Sequence, residues 1–92
     1  MTIKDLIKEG EVLRGTFTED LTLTTDREGV SEWISKCLLV LDRQFGKESA
    51  FYKVFAERLG KIGNLMLAEF DDLIGILKGI DKEYIEEDSV FY

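Results

Sequence analysis

Histidine is absent from this chain, proline is absent, and cysteine occurs once, at Cys37. The lack of histidine removes the commonest general base, the commonest zinc ligand, and both the Ser-His and Cys-His nucleophile pairs. A lone cysteine cannot close an internal disulfide, so the expected compartment is the reducing cytoplasm. No apolar run approaches the roughly 20 residues of a membrane-spanning helix. The opening "MTIKDLIKEGEV" carries no basic region, apolar stretch and cleavage site of the secretory kind. Positive charge is also scarce: 12 Lys and Arg stand against 19 Asp and Glu, for a formal net charge of −7. Neutralising phosphates takes a clustered excess of Lys and Arg, so this balance argues against binding nucleic acid and against docking on anionic lipid.

What is present is a globular composition, 45% hydrophobic and 34% charged over 92 residues. A chain of this size forms one domain and needs nearly every apolar side chain for its core. Thr2 and Asp5 form a T-x-x-D start, and Ile3, Leu6, Ile7 and Leu13 follow at helical spacing, predicting a first helix over about 2–14. "GTFTEDLTLTT", residues 15–25, is rich in β-branched threonine and reads either as a short extended pair or as one long ordered loop pinned by Phe17, Leu21 and Leu23, the loop being favoured because an isolated two-stranded hairpin is marginal.

Thr25 with Glu28 reads as a capping box opening a second helix over 26–45. Its stripe is Val30, Ile34, Cys37, Leu38, Leu41 and Phe45, widened by Trp33 and Val40, and the apolar "CLLVL" predicts the most buried helix of the fold. Gly46 suits its end. Ser49 caps a third helix over about 49–62, with Phe51, Val54, Phe55, Leu59 and Ile62 facing inward; Gly60 and Gly63 weaken its last turn. Asn64 is a candidate cap for a fourth helix over about 65–86, whose period is held by Met66, Phe70, Leu73, Leu77, Ile80 and Tyr84. The fold class is therefore all-α, a small antiparallel four-helix bundle.

Candidate chemistry is thin. Cys37 lies on the core stripe and reads as a small buried hydrophobe. Glu69 and Asp72 share a helix face, and "DKEYIEED" at 81–88 is acidic, but neither has the remaining ligands or glycine of a metal site. No phosphate-cradling glycine motif occurs. The expectation is no catalytic residue, no metal and no cofactor.

Contact is the better-supported theme. Gly75 and Gly79 lie one turn apart on the fourth helix, which lets another backbone approach closely, whether helix two or another molecule. Tyr84, Phe91 and Tyr92 are aromatics of the kind enriched at interfaces, the last two falling past the predicted helix, where they either contact another surface or fold back onto the bundle as a plug. Gly75, Gly79, Tyr84, Phe91 and Tyr92 are thus the candidate interaction residues.

"SEWISKCLLVLDRQFGKESAFYKVF", residues 31–55, with "GILKGIDKEY", residues 75–84, resembles a small helical domain found at the N-terminus of uncharacterised prokaryotic proteins. Trp33 with the helix-two leucines, Phe45-Gly46-Lys47 with Ser49, and Gly-Ile-Leu-Lys before a tyrosine carry the resemblance. It implies a module preceding a HEPN-like or TIR-like domain in phage defence, with no catalytic residues to carry over. The expected function is a non-enzymatic protein-interaction module, an adaptor or an oligomerisation domain. The alternative is an acidic phage or mobile-element protein that inhibits a host nucleic-acid-binding factor by charge mimicry.

Overall fold

The structure, a computed structural model, describes residues 2–17, 24–62 and 65–90, with side chains as far as Glu83. Four helices follow one another: α1 (Ile3–Arg14), α2 (Arg27–Phe45), α3 (Ala50–Gly60) and α4 (Leu67–Val90). The protein is an all-α bundle. Each helix packs against its chain neighbours and α1 closes the ring against α4, while across the diagonals α1–α3 and α2–α4 the backbones stay apart among the described residues.

Local chemistry sets the helix starts. The Thr2 hydroxyl accepts from the Asp5 amide at 3.2 Å, and the Asp5 carboxylate accepts from the Thr2 amide at 3.0 Å, a complete capping box. At α2 the cap is Asp26 rather than Thr25: its Oδ1 accepts from the Gly29 amide at 2.9 Å. Thr25 is engaged elsewhere, since its hydroxyl and its amide both donate to the Thr16 carbonyl. A carboxylate at the positive end of the helix dipole then fills the vacant role. Ser49 caps α3 as expected, its Oγ accepting from the Tyr52 amide at 3.1 Å. Gly46 ends α2 with a φ of 84°, a backbone state that costs glycine little. α3 ends at Gly60, and α4 runs on to Val90, one turn further than the periodicity predicts. Asn64, Leu21 and Leu23 lie outside the described residues.

The core gathers Ile3 and Leu6 from α1, Val30, Trp33, Cys37 and Leu41 from α2, Phe55 from α3, and Phe70, Leu73, Ile74, Leu77 and Ile80 from α4. Phe17 joins them from the start of the loop, where it bridges Thr24 in an isolated antiparallel pair. Its ring and that of Trp33 each lie 4.9 Å from Phe70, a tilted cluster at the heart of the bundle. The Trp33 indole N–H donates to the Leu6 carbonyl at 2.8 Å, tying α2 to α1.

Three expectations need correction. Among the described residues α4 supplies more of the buried core side chains than α2, and Leu39 on α2 is 62% exposed because a helix in a ring of four turns only one face inward. Val54 and Met66 sit on apolar stripes yet are 48% and 39% exposed. For Val54 the reason is that α3 buries a narrow strip centred on Phe55.

Candidate interaction surface

Gly75 and Gly79 fall on the outward side of α4, and both are exposed. A Cβ built at either would meet nothing within 4 Å. Helix two is therefore not the close neighbour, and the part of the expectation that remains is approach by another molecule. The close approach within this chain is made at Gly10 instead. A Cβ there would stand 2.8 Å from the Trp33 ring and 3.2 Å from Ile74. Gly10 continues the Ile3–Leu6–Leu13 stripe, so a glycine on a core stripe was the available signal. Tyr84 belongs to α4, but its side chain lies outside the described residues, as do Phe91 and Tyr92 altogether.

Two different surfaces flank the glycines. On the α3 side, Ala50, Phe51 and Val54 face Ile76 and Gly79 across an apolar groove of about 310 Å³, floored by Ile80 and edged by Glu83. On the α1 side, Gly75 sits among paired charges: Arg14 Nε donates to Asp71 at 2.6 Å, and Lys78 lies 3.1 Å from Glu11. The bond to Asp71, and then its charge, holds the Arg14 pKa above its ordinary value. Arg58 on α3 pairs with Asp72. Such exposed pairs are screened by solvent and add little stability, but they set which charges a partner meets. On the opposite side of the ring, Val12, 77% exposed, and Leu13 border a second groove over Trp33 between α1 and α2.

The remaining candidates are less suited to chemistry. Cys37 is fully buried, and burial, then the nearby Glu9 charge, pushes its thiol up to about 12. A reactive thiolate needs the opposite setting. Asp72 is occupied by Arg58, whereas Glu69 is half-buried, with one carboxylate oxygen shielded and unpartnered among the described residues. No three His, Cys, Asp or Glu side chains converge as metal ligands among the described residues, and none of their helices is long and apolar enough to cross a membrane. No protein-family model matches the chain, and neither a curated protein nor a solved structure does.

Proposed function

We propose that this chain is a non-enzymatic helical interaction module, an adaptor or an oligomerisation domain, that makes contact through the outward side of α4 and its border with α3. The observation that carries the reading is the α3–α4 groove, where Val54 is 48% exposed and Ile76 flanks a bare Gly79 on an otherwise acidic chain. Apolar side chains beside a bare glycine offer what a helix-in-groove contact needs: burial for the anchors and room for a close backbone. The absence of histidine and the buried, high-pKa thiol of Cys37 support a binding role over a catalytic one. The resemblance of residues 31–55 and 75–84 supports a setting in which such a module precedes a larger domain in a phage-defence protein.

The reading is tested by placing a photoreactive amino acid at Val54 or, as a control, at Leu39, which is at least as accessible but lies on α2, diagonal to α4. Irradiation of cells making each chain should give a discrete protein adduct from position 54 and none from position 39. No adduct from position 54, or the same adducts from both positions, would refute the assignment of the contact to this face.

A further inference from the structure

We infer that the occupant of the α3–α4 groove is a second copy of this chain, with the two α4 helices antiparallel about a two-fold axis on their outward faces, level with Leu77 and midway between Gly75 and Gly79. The inference rests on the interaction reading above and names its partner. With both glycines bare, the helix axes can approach at the short end of the usual ~8–10 Å spacing. The half-exposed Val54 and the neighbouring Ile76 of each copy border that line and gain cover from the pairing.

Charge selects both the partner and its direction. Asp71 and Lys78 face α1, where they pair with Arg14 and Glu11; Asp72 and Ile76 face α3, where they meet Arg58 and the groove. Helical spacing continues this division, placing Lys82 toward the α1 side and Glu83 toward the α3 side. Glu83 is indeed seen at the groove edge. In an antiparallel pair, residues equally far from the axis on the same side face one another. Lys82, five residues after Leu77, then meets the second copy's Asp71, six before it. Glu83 meets the second copy's Arg58–Asp72 pair from its cationic side. Both contacts occur twice by symmetry. A parallel two-fold pair would instead bring opposite sides together, setting Asp72 against the second copy's Asp71, and would align the helix dipoles unfavourably.

Helix length fits the same arrangement. Ala50, the first residue of α3, already lies beside Gly79 and Glu83, so α4 continues as helix for about two further turns beyond the start of α3. In the antiparallel pair the first turn of this extension runs alongside the first turn of the second copy's α4.

Light scattering across a concentration series tests the pairing on the native, Gly79→Leu and Lys82→Glu chains. The native chain should rise toward twice the single-chain mass. Gly79→Leu should weaken association by about tenfold or more, and Lys82→Glu by a smaller factor, with helix content by circular dichroism unchanged in both. Mixed Asp72→Cys and Glu83→Cys chains should form the 72–83 disulfide on mild oxidation, since Cys37 is buried and does not compete. A predominance of 72–72 disulfide would overturn the antiparallel arrangement. A native chain that holds the mass of one copy at every concentration would overturn the second copy. If position 54 still captures other proteins in that case, the interaction reading stands without it; if it captures none, both fail.

Discussion

Gly10 fixes how closely α1, α2 and α4 meet. Its bare Cα lets the Trp33 ring lie against α1 and lets the indole N–H reach the Leu6 carbonyl. A methyl group 2.8 Å from that ring forces a rigid, fully buried side chain to move. Gly10→Ala would gain helix propensity at an exposed site, yet here overpacking should prevail and cost about 1–3 kcal/mol in urea unfolding. Cys37 makes the contrasting case, a residue whose chemistry is suppressed by its position. With its thiol pushed up to about 12 and no exposed surface, labelling by a thiol reagent under native conditions should be slow and should track global unfolding. Rapid labelling would contradict its placement in the core.

At the scale of the helix, caps and glycines have opposite consequences. The Asp5 carboxylate is held below its ordinary pKa, first by the Thr2 amide and then by the Thr2 hydroxyl partnership. A depressed folded pKa means that this stabilisation is present above the ordinary carboxylate range and lost as pH falls through the folded value. The start of α1 should therefore fray on acidification before the core opens, seen as faster amide exchange in its first turn, and Asp5→Asn should abolish that pH dependence. On α4, by contrast, Gly75 and Gly79 are exposed helix-interior positions with open space around them. Gly75→Ala with Gly79→Ala should stabilise the isolated chain by about 2 kcal/mol in dilute thermal or urea unfolding. Destabilisation would mean that a neighbour within the chain occupies that space. The helices themselves were legible in the sequence, because the 3.6-residue period, the Thr2–Asp5 box and the Ser49 cap all act locally. The α2 cap was displaced by one residue since nothing local shows that Thr25 is drawn away to Thr16. Val54 illustrates a deeper limit. A residue facing a core and one bordering an open groove carry the same apolar periodicity, and the packing of α3 against its neighbours decides between them.

For the whole molecule, the ring of helices separates two apolar surfaces, the α1–α2 groove around Val12 and the α3–α4 groove around Val54. Only the second is joined to the bare glycines and to charges arranged for a two-fold partner. Gly75 and Gly79 were singled out by spacing alone and lie exposed with open space around them, whereas the groove beside them was not legible, since it is built from side chains of two different helices. The most direct measurement is a dilution series followed by methyl NMR with a soluble paramagnetic agent. The account predicts that relaxation enhancement at the Val54 and Ile76 methyls grows as the chain is diluted and the face is uncovered, while Val12, on the opposite side of the ring, stays equally accessible throughout. Val54 and Ile76 methyls that remain as accessible at the highest concentration as at the lowest would contradict it.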